Sequence, residues 1–303
     1  QLSDRTKAAY RSNLMIWFNW VREHLNNKAE YEIRSIDYMK FQNWIINLGH
    51  SSSDVANKRA AISSLNHYIV LYYADDFPTF RNFIVSGMPK PEKSFVNDKN
   101  PPTKEEFFNI VEEMKKRGDW QKVAYLLYTF DTGCRRAESV QLLKEVVTYP
   151  PIVKDKIVVN DKGEKEVKTI KYYQSNPTRC KGRGKTGKVR KLTFTEATMD
   201  AIKKWLEIRG DDDCPYVFAS KHEGEYVQLS PTTLNKWATN VFSPILGRRF
   251  HPHILREAKA TISVVEEGKN ISAVQRLLGH ESSSTTEIYV IADLDEEIDE
   301  LYL

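Results

Sequence analysis

The sequence predicts a mainly α-helical protein with a small antiparallel β-sheet, folded as two domains. Three observations predict it. Apolar residues recur at helical spacing in the first 73 residues and again after residue 103; a proline-rich stretch separates these regions; and residues 153–192 change to short β-like runs. A chain of 303 residues with 41% hydrophobic content can bury a sizeable core, and its length favours two domains over one.

The first element is a long amphipathic helix, in which Tyr10, Leu14, Trp17, Phe18, Val21 and Leu25 follow at helical spacing behind Ser3 as cap. Ser35 caps a second helix that runs to Leu48 and stops at Gly49. The Ser-Ser-Ser-Asp run at 51–54 opens a third, reaching about Tyr73. Near its start Asn57, Lys58, Arg59, Ser63 and Asn66 form a polar, partly basic face, which reads equally as a solvent face or as a surface lying along a phosphate backbone. Residues 86–102, SGMPKPEKSFVNDKNPP, hold four prolines and a glycine and form the linker, so the expected domains are 1–85 and 103–303.

The second domain opens at Thr103, which has capping-box spacing to Glu106. Val123, Leu126, Leu127 and Phe130 pattern its next helix, which ends near Gly133. In KIVVNDKGEKEVKTIKYY, 156–173, arms rich in Val, Ile, Thr and Tyr flank an N-D-K-G turn and predict a hairpin, part of an insertion at about 150–180. A second strand-to-strand turn falls in GKTGKVRK, around Lys185. Thr195 to Ile208 form a helix closed by Gly210, Tyr216 to Ala219 a short core run, and Ser230-Pro231 the cap and first position of another helix. His251 to Lys269 hold a helix closed by Gly268, and Ser272 to Leu278 a short one ended by Gly279. Ser284 and Glu287 have capping-box spacing, which starts a last helix with Tyr289 on its second turn; a tail occupies 291–303.

Charge is distributed unevenly. The formal net charge is only +4, yet residues 179–191, RCKGRGKTGKVRK, hold seven Lys and Arg, whereas 293–300, DLDEEIDE, hold six acids. Three widely spaced cysteines, Cys134, Cys180 and Cys214, without a C-x-x-C pair argue against a disulfide framework or thiolate zinc site and suit a reducing cytosol. No apolar run approaches the ~18 residues of a membrane span, and no signal-peptide pattern opens the chain. The first residue is Gln rather than Met, which leaves room for a longer original N-terminus.

Several residues are suited to chemistry on an anion. Arg135 and Arg136 stand at the turn just past Gly133, where a planar guanidinium can face an oxyanion. His253 and Arg256 stand three apart at a helix start, where the dipole and unpaired amides favour negative charge. His251-x-His253 has no carboxylate or cysteine at metal-ligand spacing, so no metal site is expected. His280 falls just past a helix end. By spacing alone Tyr289 reads as a packed aromatic. Two arginines, two histidines, a lysine and a tyrosine on separate elements together fit phosphoryl transfer, in which catalysis rests on positioning and on stabilising oxygen charge.

The order of these motifs resembles the tyrosine recombinases, or phage integrases, including their Xer-like site-specific members. TGCRRAE (132–138) resembles the family's T-G-x-R-x-x-E box, HILR (253–256) its H-x-x-R box, LLGH (277–280) its L-G-H box and TTEIY (285–289) its nucleophile segment. The resemblance implies a two-domain clamp on double-stranded DNA, with a helical core-binding domain followed by an α+β catalytic domain. It implies that Tyr289 attacks a phosphodiester to form a 3′-phosphotyrosyl link without metal or cofactor, that Arg135, Arg256 and His280 stabilise the phosphate oxygens, that His253 assists proton transfer from the tyrosine, that Lys185 protonates the leaving 5′-oxygen, and that Glu138 orients its neighbours. Expected DNA contacts are Lys58, Arg59 and Ser63 on the third helix and Arg179, Lys181, Arg183, Lys188 and Arg190 in the basic strip. Expected partners are a specific recombination site, a homotetramer assembled on two such sites, and accessory DNA-bending or directionality proteins, all in the cytoplasm. The tail, with Leu294, Ile298 and Leu301 as its apolar edge, is expected to pack on a neighbouring protomer.

The sequence departs from the family pattern in three places. Glu257 follows Arg256 where a second His is common. The span from Leu143 to Lys185 is long, and Lys181 competes with Lys185 as general acid. Nothing ahead of the first helix resembles an arm-site-binding module. The alternatives are a type IB topoisomerase-like nicking-closing enzyme and a DNA-binding relative that no longer cuts.

Overall fold

The computed structural model describes residues 4–90, 100–159, 164–180 and 188–279. The chain divides into two compact units, Gln1–Asp98 and Lys99–Leu303. In the first, α1 (Asp4–His24), α2 (Ser35–Asn47) and α3 (Ser52–Tyr72) enclose a core rich in aromatic residues. Trp17 stacks on Trp20 at 5.7 Å and meets Phe41 edge-on at 5.0 Å, arrangements that add to plain burial. The sequence pattern placed Phe18 in this stripe and passed over Trp20. Trp20 is in fact 4% exposed and Phe18 41%, because the inward face advances from Trp17 by three and four residues to Trp20 and Val21.

Two further expectations in this unit are corrected. Ser35 is the first helical residue rather than the cap; its hydroxyl donates to the Phe83 carbonyl at 2.7 Å. The Asp37 carboxylate takes over, accepting from the Arg34 amide and from Lys28 Nζ, each at 3.0 Å. Most of the polar face of α3 is occupied by contacts within the unit, and Asn57 alone of its five residues is exposed. Lys58 is 2% exposed and donates to Asp54 at 2.7 Å. Arg59 donates to the carbonyls of Val85, Met88 and Pro89, Asn66 is fully buried against Asn82, and Ser63 accepts from Asn82 at 2.9 Å. Of the residues expected as DNA contacts, Arg59 and Ser63 thus belong to the seam that fastens residues 82–89 onto α3, and Lys58 is buried in an ion pair with Asp54 on the same helix.

The second unit begins with α4 (Lys104–Lys116), capped as expected by the reciprocal Thr103–Glu106 box. Next, α5 (Trp120–Thr132) runs through the core, burying Val123, Ala124, Tyr125, Leu126, Tyr128 and Phe130. A single-turn helix, α6 (Arg136–Ser139), follows at once. Strands β1 (Ile152–Val159), β2 (Lys165–Gln174), β3 (Thr178–Cys180), β4 (Lys188–Arg190) and β5 (Thr193–Phe194) come next, then α7 (Glu196–Arg209). Strands β6 (Ala219–His222) and β7 (Glu225–Gln228) precede α8 (Pro231–Trp237) and α9 (Ser243–Leu246). The last described elements are α10 (Ile254–Thr261) and α11 (Ile271–Leu278).

The expected small sheet is three small antiparallel ones among the described residues: β1-β2-β5, β3-β4 and β6-β7. The β1–β2 hairpin is the predicted one, with Val159 opposite Lys165 and its arms longer than the sequence suggested. Val153, Ile157, Val167 and Ile170 on these arms are exposed. The helix that the sequence closed at Gly268 leaves α-geometry earlier, continuing from Ile262 to Glu266 with π-type bonding before Gly268 turns at φ +58°. Asn270 caps α11, so this helix starts one residue before the expected Ser272. No described helix is long and apolar enough to cross a membrane. The Ser3 cap, the N-D-K-G turn, Lys181, Arg183, Lys185, His280, Tyr289 and the tail lie outside the described residues.

Candidate active site

The carboxyl end of α5 is the point on which the site is built. Gly133 leaves the helix with φ +55°, and its carbonyl accepts from Nη1 of Arg256 at 2.6 Å. Arg256 is 1% exposed, on the first turn of α10, and this bond joins the TGCRRAE and HILR motifs directly. A Cβ at position 133 would fall inside the van der Waals shell of Leu278 Cδ2, so the same glycine also admits α11. His253 precedes α10 and is exposed, whereas Glu257, where the family often has His, is buried at 8% exposure.

Arg135 heads α6. Glu138 reaches back to accept from the Arg135 amide at 2.9 Å and from its Nη1 at 3.0 Å, which fixes the guanidinium relative to its own backbone. Arg190 Nη2 stands 3.6 Å from the other side of this carboxylate. Glu138 is 2% exposed, and burial by itself would oppose its ionisation. The bonds from Arg135 and the charge of Arg190 outweigh that cost and hold its carboxyl below the usual range. The neighbouring Cys134 has the opposite fate: burial, helped by Glu138, pushes its thiol up to about 12 despite Arg190 and Arg256. At neutral pH it is a packed thiol, not a nucleophile.

The strand pair β3–β4 is anchored beside α6. Gln141 donates to the Arg179 carbonyl at 3.0 Å and accepts from the Arg179 amide at 3.0 Å, while Asn176 binds the Leu143 amide at 3.0 Å and the Gln141 carbonyl at 3.1 Å. Cys180 pairs with Lys188 across the strands, so the connection 181–187, with Lys185, springs from this anchored base. Arg179 and Lys188 are exposed on it. Arg190, expected as a DNA contact, is instead turned inward, to Cys180, Glu138 and the end of α11. Neither composition nor spacing distinguished it from the other cations of the strip; only the L-G-H glycine beside it carried a hint.

Of the expected catalytic residues, the described structure brings together Arg135, Glu138 and Arg256 around Gly133 and sets His253 one turn before Arg256. Among the described residues no three His, Cys, Asp or Glu side chains cluster as a metal would require. A mainly helical unit in which one arginine, Arg135, is held by the buried carboxylate of Glu138 and a second, Arg256, is held at the Gly133 carbonyl two residues away defines a class of protein suited to an anionic oxygen-rich group, as in phosphoryl transfer.

The comparisons make that class specific. The family described as the phage integrase family matches residues 103–296. The chain is 30% identical over 305 residues to the SPbeta prophage-derived recombinase-like protein YomM of Bacillus subtilis (strain 168), covering 99% of this chain and 86% of that protein. It is 37% identical over 106 residues to tyrosine recombinase XerA of Thermococcus onnurineus (strain NA1), a match spanning 35% of this chain and 36% of that one. Its fold resembles the XerH site-specific recombinase bound to a palindromic difH substrate, at TM-score 0.67 and 19% identity, covering 97% of this chain and 78% of the other. The chain belongs to the phage integrase family. It is a site-specific tyrosine recombinase, an enzyme that cleaves and rejoins DNA.

Proposed function

We propose that Tyr289 is the nucleophile of this recombinase and that Arg135, Arg256 and His280 hold the non-bridging oxygens of the scissile phosphate. The observation that carries the reading is the bond from Arg256 to the Gly133 carbonyl, which brings the two arginine motifs to one place two residues from Arg135. Two forked cations at one phosphate favour the pentacoordinate state, in which oxygen charge rises, over the ground state. In this reading Tyr289 attacks the phosphorus, its proton passing with the help of His253; the 3′-phosphotyrosyl bond forms and the bond to the 5′-oxygen breaks. Lys185 protonates that oxygen. The released hydroxyl of a partner strand then reverses the step. Glu138 reacts with nothing; its two bonds to Arg135 orient the guanidinium. Cys134 offers no competing nucleophile, because its thiol stays protonated.

The substrate in this reading is double-stranded DNA carrying a specific site, with the helical first unit as core-binding domain. Four protomers on two sites exchange strands through a Holliday junction, in the cytoplasm and in the service of a mobile element. The exposed arms of the β1–β2 hairpin suit contact with DNA or a neighbouring protomer.

The test is a nicked suicide duplex carrying the binding site selected by this protein from random DNA. Wild-type protein in chelator is expected to form a covalent protein–DNA adduct, and Tyr289→Phe none. An adduct that persists in Tyr289→Phe, or none with the wild type, overturns the assignment.

A further inference from the structure

We propose that Arg190 is a positioning residue of this active site, tying Glu138, and through it Arg135, to the carbonyl end of α11, the residues that lead into His280. The inference rests on the roles assigned above to Arg135 and His280.

The geometry uses the whole fork. Arg190 Nη1 donates to the Leu277 carbonyl at 2.9 Å, Nη2 to the Leu278 carbonyl at 3.2 Å, and Nε to Cys180 Sγ at 3.1 Å. Nη2 also lies 3.6 Å from Glu138 Oε2. The carbonyls at the end of a helix have no partners within it and carry the negative end of its dipole, so a guanidinium there is favoured twice. Its side chain is 22% exposed, so these contacts are only partly screened by water. A lysine reproduces the charge but not the pattern, because one ammonium cannot span two carbonyls, a sulfur and a carboxylate at fixed angles.

Gly279 adds an independent observation. It adopts φ +66°, which disfavours any side chain. More tellingly, a Cβ there would stand 2.5 Å from Arg190 Nη1 and 2.9 Å from its Cζ. The glycine of LLGH therefore leaves room for this guanidinium as well as turning the chain. Arg190 also belongs to β4, whose partner strand ends where the connection bearing Lys185 begins. One side chain thus registers three motifs that are distant in sequence.

The experiment measures single-turnover adduct formation on the suicide duplex at saturating protein, together with DNA affinity, its salt slope and thermal unfolding. Arg190→Ala is expected to cleave on the order of 100-fold more slowly, as a misplacement of catalytic groups by about 1 Å would cause, with affinity and salt slope unchanged. Arg190→Lys is expected to fall between. Gly279→Ala carries backbone strain at φ +66° in either background, so it is expected to slow cleavage by a larger factor in the wild type, where it also obstructs the guanidinium, than in Arg190→Ala, where only the strain remains. If Arg190→Ala unfolds, Arg190→Lys and Gly279→Ala carry the test. Wild-type cleavage by Arg190→Ala, additive losses that track unfolding temperature, or a loss of affinity with a shallower salt slope would each overturn the proposal. Failure of the wild type to form the Tyr289 adduct would instead sink the underlying mechanism.

Discussion

Glu30 accepts a hydrogen bond from the Trp17 indole at 3.1 Å, and its other oxygen, Oε1, is buried with no donor among the described residues. Burial pushes its carboxyl up from 4.5 to about 7, with the indole bond pulling weakly the other way. The folded state therefore binds this proton more tightly than the unfolded chain. Stability is fully present below pH 4.5 and is lost as pH rises through about 7, by a few kcal/mol at most, on the order of 1.4 kcal/mol for each pH unit by which the pKa is raised. Glu30→Gln keeps the acceptor and removes the charge. Denaturant unfolding followed from pH 4 to 8 is expected to show the variant more stable than the parent at pH 8 and without the parent's loss of stability as pH rises through about 7. An unchanged pH slope in the variant would remove Glu30 as its source. Lys58 shows the converse case, a buried charge that keeps its ionic partner, Asp54 at 2.7 Å.

At the scale of elements, helix ends were the most legible feature, since caps act over three or four residues. Ser51, Thr103, Thr195 and Ser230 all accept the amide that their spacing assigns them, and Gly133 and Gly279 turn left-handed where the patterns stop. What was illegible depends on partners far along the chain. Arg59 looks like any helix-surface cation until its bonds to the carbonyls of Val85, Met88 and Pro89 are seen, and Arg190 takes its meaning from carbonyls 87 and 88 residues away. The two arginine motifs were legible as motifs, but the Gly133 carbonyl that joins them was not. Asp131 is another such link: its Oδ2 accepts from the Thr195 amide at 2.8 Å, the Thr195 hydroxyl at 2.7 Å and the Thr198 hydroxyl at 2.6 Å, fastening the end of α5 to the start of α7. Removing it leaves a helix start without its external acceptor. Asp131→Ala is expected to lower unfolding free energy by about 2 kcal/mol, measured by denaturant titration, whereas Asp131→Asn keeps an acceptor and loses less. Equal losses in the two variants would refute the hydrogen-bond explanation.

For the whole molecule, a formal net charge of +4 says little about how DNA is held, because the cations are unequal. Lys58 is buried in an ion pair with Asp54 and Arg190 is turned to the end of α11; Arg179 and Lys188 differ from them in being exposed to solvent on β3 and β4. Only a cation that reaches a phosphate releases counterions, and each such contact contributes roughly 0.9 to the slope of log affinity against log salt. Arg179→Ala and Lys188→Ala are therefore expected to reduce that slope by about 0.9 each, uniformly across DNA sequences. Lys58→Met, which keeps the buried aliphatic stem, is expected to leave the slope unchanged even where it lowers stability. Binding isotherms between 50 and 200 mM salt, roughly the range over which such losses are large, make the comparison on the intact chain. A slope that falls with Lys58→Met and not with Lys188→Ala would mean that the α3 seam opens to the duplex and that the strand pair does not carry the backbone contact.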